Sequence, residues 1–328
     1  MLTGFDVNNI FSLKDQPGEF DSLCRRIYAF QLQHNPVYRE WCRLNDQAFN
    51  GQTLAQIPAL PISLFKTHRV RCGKDQADVI FESSGTTGMT PSRHYVHSLA
   101  IYRQSFLQAF HQFYGDPASW CVLGLLPSYL ERANSSLVVM VDELIRLSGH
   151  PQSGFYLHEW EQLTTVLKEL EKAGQKTWLI GVTFGLLDFA EKYPMPLRHT
   201  VVMETGGMKG RRRELTRTEV HAELKQAFDL PVVHAEYGMT ELLSQAYAKK
   251  DGRFYCPPWM KVLVREEDDP LQVRESGEGV LQIIDLANVY SCSFIATEDM
   301  GKVWEDGSFE VWGRLDNSDI RGCSLLTA

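Results

Sequence analysis

The sequence predicts an α/β protein with a mainly parallel sheet and helices, followed by an antiparallel β portion at the C-terminal end. Two patterns predict this. Between about residues 76 and 247, short β-rich runs alternate with longer stretches of helical spacing, as βαβ units require. After Tyr247, short strand-like runs follow one another across Gly- and Asp-rich turns, the pattern of an antiparallel sheet or small barrel. Composition agrees: 44% hydrophobic and 23% charged residues in a chain of 328 supply a sizeable core and no excess of charge that would favour disorder.

Taken in order, the first 75 or so residues read as helical and irregular, with Pro36 placed to start a helix after Asn35. The strand-like runs of the α/β part are Asp78 to Phe81, Trp120 to Leu126, Thr177 to Val182, His199 to Met203 and Val232 to His234. Helical spacing marks Leu99 to Phe113, Leu137 to Leu147, Trp160 to Lys172 and Thr218 to Phe228. VLVREE, GVLQIIDL, CSFIATED and FEVWGRL are the strands of the last part. The expected organisation is one large domain over 1–312, helical to about 75, α/β over 76–247 and β-rich over 248–312, with a tail at 313–328 that bears Cys323.

Charge and cysteine content exclude several classes. A net charge of -8 lacks the electrostatic footprint of a nucleic-acid or anionic-membrane binder, so an anionic substrate needs a local pocket built for it. MLTGFDVNNIF has neither the basic nor the apolar region of a signal peptide, and the apolar run from Leu137 to Val141 stops at Asp142, far short of a membrane span. Seven scattered cysteines without a C-x-x-C pair fit neither a disulfide framework nor a structural zinc site; the expectation is a reducing cytoplasm.

Three segments concentrate polar chemistry. In FESSGTTGMTPSRHYVHS a strand-like run enters Ser83, Ser84, Gly85, Thr86, Thr87 and Gly88, and helical spacing resumes near Ser98. Small residues let the backbone fold tightly around an anion, its N–H groups and four hydroxyls supply donors, and Arg93 follows as a charge partner for phosphate. No Gly-Lys-Ser/Thr closes this loop, so it is not a Walker A loop. In VVMETGGMKGRR a strand ends in Glu204, Thr205, Gly206 and Gly207; in VVHAEYGMTE a strand leads into Tyr237, Gly238, Met239, Thr240 and Glu241. Each alone could be a turn. Parallel α/β sheets bind ligands beyond the carboxyl ends of their strands, and the three segments are expected to share that edge, with Glu241 suited to Mg2+ beside a phosphate.

SSGTTG with its following basic residue, YGMTE and GRLDNSDI resemble, in that order, the phosphate loop, adenylate-contacting motif and hinge motif of the adenylate-forming superfamily. PISLFKTHRV, ETGGMKGRRRELTR, YGMTELLSQAY, FIATEDMG and DIRGCSLL make the chain similar to the LuxE-type acyl-protein synthetases of bacterial fatty-acid reduction systems. Thr297, Glu298 and Asp299 stand where generic acyl-CoA ligases usually have Thr-Gly-Asp, a departure the LuxE-type pattern accommodates. The resemblance implies the large N-terminal domain of the adenylate-forming fold. It also implies that Ser84 to Gly88 hold ATP phosphates, that Gly206 and Gly207 border the adenine and that Tyr237 lies against the base. Thr240 would touch the α-phosphate and Glu241 hold Mg2+, while Asp299 would bind the ribose hydroxyls with Arg314 close to ribose or phosphate.

The implied reaction is attack of a carboxylic acid, a fatty acid by the resemblance, on the α-phosphate of MgATP, and then transfer through Cys323 to a protein or carrier. An acyl-CoA reductase or acyl carrier is the partner expected. Cys323 lies beside Gly322 and two residues after Arg321, and a nearby cation favours the reactive thiolate. Fourteen residues follow Arg314, so the expectation is a fold without the full C-terminal small domain and its lysine; Lys66 and Lys209 are the substitutes considered. His94, His97 and His234 lie near the motifs without metal-ligand spacing and read as packed or hydrogen-bonded, with His234 the one able to line an acyl pocket. A compact acyl- or aryl-CoA ligase and a weakly catalytic nucleotide-binding scaffold are the competing readings.

Overall fold

The computed structural model describes residues 5–13, 18–45, 53–83, 90–127, 134–206 and 215–315. The chain begins with α1 (Asn8–Phe11), α2 (Glu19–His34) and α3 (Pro36–Leu44). Asn35 caps α3, its side-chain oxygen accepting from Tyr38 N at 3.0 Å with Pro36 at the first helical position. Short strand β1 (Leu60–Pro61) and helix α4 (Leu64–Thr67) follow. The next pair, β2 (Val79–Glu82) and β3 (Arg93–Val96), forms an antiparallel hairpin with Glu82 opposite Arg93.

After α5 (Leu99–Tyr114) the chain alternates: β4 (Cys121–Leu125), α6 (Ser136–Ser148), β5 (Gly154–Phe155), α7 (Trp160–Ala173), β6 (Thr177–Val182), α8 (Thr183–Lys192), β7 (Thr200–Thr205), α9 (Arg217–Phe228), β8 (His234–Tyr237) and β9 (Ala246–Ala248). The strands form one sheet in the order β5-β4-β6-β7-β8-β9, parallel except for β9. Alternation along the strands sends side chains to opposite faces. Val122, Trp178, Ile180 and Met203 join the core that includes α5 and α6, whereas Leu123, Leu179 and Val202 join the core of α7, α8 and α9. Burial on both faces explains the unbroken apolar runs of β4 and β6.

The last strands are β10 (Met260–Arg265), β11 (Val273–Arg274), β12 (Gly277–Asp285), β13 (Phe294–Val303) and β14 (Phe309–Arg314). They form a second sheet, antiparallel throughout except where β1 joins β13 in parallel. Gly301 is required at the β13–β14 irregularity, because a Cβ there would stand 2.0 Å from the Glu310 carbonyl oxygen. The first core also runs into this sheet through Val262, Ile283, Phe294 and Phe309. No helix among the described residues is long and apolar enough to cross a membrane.

Two expectations change here. The serine- and threonine-rich segment does not lead from a strand of the parallel sheet into a helix; it connects the arms of the separate β2–β3 hairpin. The strand expected at Val232 to His234 instead spans His234–Tyr237, so Tyr237 belongs to the strand itself. Residues such as His, Glu and Tyr hide a strand whose end serves a polar site.

Candidate active site

The carboxyl ends of β7 and β8 lie side by side, Thr205 opposite Glu236. The second sheet meets this edge through Tyr237. Its hydroxyl donates to Asp299 Oδ2 at 2.7 Å, and Arg314 Nε donates to Asp299 Oδ1 at 3.2 Å. The β13–β14 register places Asp299 directly opposite Arg314, so the hairpin fixes this pair before any ligand arrives. Tyr237 is buried against Phe254 and Phe309, and burial together with the adjacent Asp299 charge pushes its phenol well above the ordinary value.

The turn after Tyr237 carries the other candidates. A Cβ at Gly238 would meet Glu236 Oε1 at 2.5 Å, so glycine lets the chain pass over that carboxylate. Met239 and Thr240 are half-buried and Glu241 is buried. Burial pushes the Glu241 carboxyl up, opposed by the Ser92 hydroxyl, its own backbone N–H and the charges of Arg314 and Lys66. Thus Glu241 faces two cations drawn from opposite ends of the sequence.

The backbone of this turn is anchored from outside. Asp285 Oδ2 accepts from Leu243 N at 2.8 Å and Ser244 N at 3.0 Å, while its Oδ1 accepts from Ser244 Oγ at 2.6 Å and Ala287 N at 3.1 Å. Asn288 donates to the Glu241 carbonyl at 2.7 Å, and the His94 ring bonds the Thr240 carbonyl at 2.8 Å. An Asp285→Asn substitution turns an amide toward one pair of these donors and leaves them unpaired. It is expected to cost about 3 kcal/mol, read as a lower midpoint in urea with an unchanged slope.

The β2–β3 hairpin reaches the same place. Ser83 Oγ accepts from Ser92 N at 2.9 Å, Ser83 N donates to Ser92 O at 3.1 Å, and Glu82 N donates to Asn134 O at 2.9 Å. The hairpin therefore brings Ser92, to which Ser83 is bonded, beside Glu241 although it is not part of the parallel sheet. Arg93 is turned elsewhere: its exposed guanidinium pairs with Glu82 at 3.0 Å, and Glu82 also accepts from Asn134 at 2.9 Å. Ser84, Gly85, Thr86, Thr87 and Gly88 lie outside the described residues, as do Gly207, Lys209 and Cys323. Gly206 is exposed at the end of β7, with open space where a Cβ would stand.

Two buried carboxylates lie behind the edge. Glu204 accepts from Thr183 Oγ1 at 2.5 Å and faces Arg217 at 3.8 Å and His221 at 3.9 Å. Burial alone would raise its carboxyl, but these partners hold it below its ordinary value. Glu236 accepts from Thr205 Oγ1 at 2.5 Å and is pushed up to about 7, chiefly by burial and also by the Glu204 charge. His234 lies near Tyr114 Oη, 3.1 Å from Nδ1, and is pushed down to about 4 by burial, with Lys249 and His221 adding to the shift. Ser92, Asp285 and Asn288 belong to the site without a sequence motif that assigns them to it. Only DLAN, where Asp285 caps the short turn Leu286–Asn288, gave a local signal, and it pointed to a turn rather than a site.

Six of the seven cysteines are described, and all six are free: Cys24, Cys42, Cys72, Cys121, Cys256 and Cys292. Burial pushes each thiol up, Cys42 and Cys121 to about 11 and Cys72 to about 12. None of these six is in its reactive thiolate form near neutrality.

Comparison with known proteins agrees with this architecture. The model of the acyl-protein synthetase family LuxE matches residues 19–121. The long-chain-fatty-acid–luciferin-component ligase of Aliivibrio fischeri is 22% identical over 343 residues, covering 97% of this chain and 90% of the relative. The ligase of the same name from Vibrio harveyi is 23% identical over 342 residues, covering 96% and 89%. Among solved structures, a 2-hydroxyisobutyryl-CoA ligase in complex with 2-HIB-AMP superimposes with a TM-score of 0.63 at 12% identity, over 91% of this chain and 67% of its own. ATP-bound MatB from Rhodopseudomonas palustris gives 0.52 at 17% identity over 74% of this chain, which spans about half of MatB, 49%. The chain is therefore similar to the LuxE-type acyl-protein synthetases and has the fold of the adenylate-forming enzymes.

Proposed function

We propose that the chain activates a fatty acid with MgATP as an acyl-adenylate and passes the acyl group through Cys323 to a protein or carrier acceptor, for which an acyl-CoA reductase is the leading class. The observation that carries this reading is the convergence, at the carboxyl edge of the parallel sheet, of buried Glu241 with the Tyr237, Asp299 and Arg314 cluster. Similarity over nearly the whole chain to ligases named for long-chain fatty acids supports the substrate class.

In the first step a carboxylate oxygen attacks the α-phosphorus, the α–β phosphoanhydride bond breaks and pyrophosphate leaves. Asp299 accepts the ribose hydroxyls, Arg314 stands by ribose or phosphate, Tyr237 lies against the base between Asp299 and the aromatic cluster, and Gly206 and Gly207 border the adenine. Ser84 to Gly88 cradle the phosphates and Thr240 meets the α-phosphate. Glu241 is the hard-oxygen ligand that would hold Mg2+, and the ion, when bound, would supply charge neutralisation at the phosphates. Lys66, whose charge reaches Glu241, is the described lysine best placed to add to it. Arg93, exposed beside the serine- and threonine-rich loop and paired with Glu82, is the charge partner proposed for phosphate.

In the second step the Cys323 thiolate attacks the acyl carbonyl and AMP leaves with the bonding pair. The high pKa of all six described thiols supports Cys323 as the nucleophile.

The test is pyrophosphate exchange with MgATP and a series of fatty acids, followed by intact mass. The expected result is exchange plus an acyl adduct that disappears in Cys323→Ser while exchange persists. Exchange without an adduct, with acylation of added CoA, would instead establish a CoA ligase.

A further inference from the structure

The turn that presents Thr240 and Glu241 is held by two buried side chains to which the motifs assign no ligand contact. His94 lies on β3 and Asn288 at the end of the short turn after β12, and both are fully buried. The Thr240 carbonyl only accepts, so the His94 nitrogen that meets it at 2.8 Å, Nδ1, carries the proton. Asn288 Nδ2 in turn donates to the next carbonyl, that of Glu241, at 2.7 Å. The edge of the Phe65 ring packs against the His94 ring, with 5.7 Å between centroids, and fixes its plane.

The far ends of the two side chains carry the complementary observation. His94 Nε2 and Asn288 Oδ1 are buried, with the Asn288 side chain within reach of the imidazole, and both residues line one small cavity with Ser98, Leu243 and Ser291. In this tautomer both atoms are acceptors, so two protein groups face each other with no hydrogen to share.

We propose that His94 and Asn288 are positioning residues: by holding two consecutive carbonyls, they fix where the Thr240 hydroxyl and the Glu241 carboxylate stand. Neither residue touches the reacting atoms. The role in catalysis rests on the functional reading above, whereas the clamp itself does not.

Two measurements separate these. In hydrogen–deuterium exchange on the full chain without nucleotide, amides of residues 238–245 are expected to exchange about tenfold faster in His94→Leu and Asn288→Leu than in wild type. His94→Asn, whose amide nitrogen can occupy the place of Nδ1, is expected to keep wild-type protection. In pyrophosphate exchange with MgATP and a long-chain fatty acid, His94→Leu is expected to need about tenfold more Mg2+ for half-maximal rate, and His94→Asn to stay within about threefold of wild type. Unchanged protection in His94→Leu, or equal loss in both His94 variants, overturns the clamp. Faster amide exchange with an unchanged Mg2+ requirement overturns the positioning role. A wild-type chain that exchanges no pyrophosphate with any acid overturns the functional reading, and amide exchange then decides the clamp alone.

Discussion

Replacing Glu241 with Ala is expected to lower Mg2+-dependent pyrophosphate exchange by about 10²- to 10³-fold, the scale of removing one preorganised charge partner from a transition state. Among the described residues no group of three or more His, Cys, Asp or Glu is arranged to hold a metal ion, so in the proposed reading Mg2+ would be held between Glu241 and phosphate. Glu241 is buried beside Ser92 with Arg314 and Lys66 acting on it, while the nearby Asp299 is already engaged by Tyr237 and Arg314. Glu241→Gln keeps the shape and loses the charge, so it separates the two contributions: near-equal loss in Ala and Gln assigns the effect to charge. Activity at wild-type level in Gln removes Glu241 from the metal role.

The pH dependence of this group has a definite sign. Burial raises its carboxyl in the folded protein, so between the ordinary glutamate value and the raised one the folded state binds more protons than the unfolded state. Stability of the unliganded protein therefore falls as pH rises through that window, while exchange activity, which needs the carboxylate, rises. Glu241→Gln is expected to flatten the stability contribution, measured as urea midpoints across the acidic range. A wild-type and Gln pair with parallel profiles would contradict it.

Much of the architecture was legible because burial writes itself into local pattern. β6 matches its expected span, Thr177 to Val182, because a strand covered on both faces is a continuous apolar run bounded by polar residues. Helix α7 begins at Trp160 as its spacing predicts, and Gly174 ends it in the left-handed conformation. The functional edge was harder to delimit. β8 carries His234, Glu236 and Tyr237, residue types chosen for a polar site rather than for strand periodicity. β3 is four residues, Arg93 to Val96, and its place opposite β2 depends on a hairpin that alternation of strands and helices does not announce.

For the candidate site, motif order named Tyr237, Glu241, Asp299 and Arg314, and the fold brings these four together at one edge. The groups that hold them were not legible, since their roles arise from partners far away in sequence. His94 meets Thr240 across 146 positions, and Asn288 meets Glu241 across 47. Read locally, a buried histidine and an asparagine in a turn have ordinary structural explanations. Only the identity of the atoms they bind distinguishes them. Arg93, placed after the serine- and threonine-rich loop and expected to meet phosphate, stands directly opposite Glu82 on β2 and pairs with it through an exposed guanidinium.

Asp299→Asn is expected to lower kcat/KM for ATP by about 10²- to 10³-fold, with most of the effect in KM, since hydrogen bonds to a charged group contribute about 1.5–3 kcal/mol each. Both carboxylate oxygens are already engaged, Oδ2 by the Tyr237 hydroxyl and Oδ1 by Arg314. The partners differ in consequence. Arg314 is largely exposed, so its ion pair adds little to stability and serves to orient the carboxylate. The Tyr237 hydroxyl is buried, and the amide introduced by this substitution, turned toward it, offers a donor where Tyr237 needs an acceptor. The variant is therefore expected to lose about 1–3 kcal/mol of stability as well as nucleotide affinity. Tyr237→Phe removes the mismatched hydroxyl: combined with Asp299→Asn it should recover stability but not KM for ATP. Recovery of both in the double variant would mean that Asp299 acts only by holding Tyr237, whereas recovery of stability alone assigns the lost affinity to the carboxylate itself.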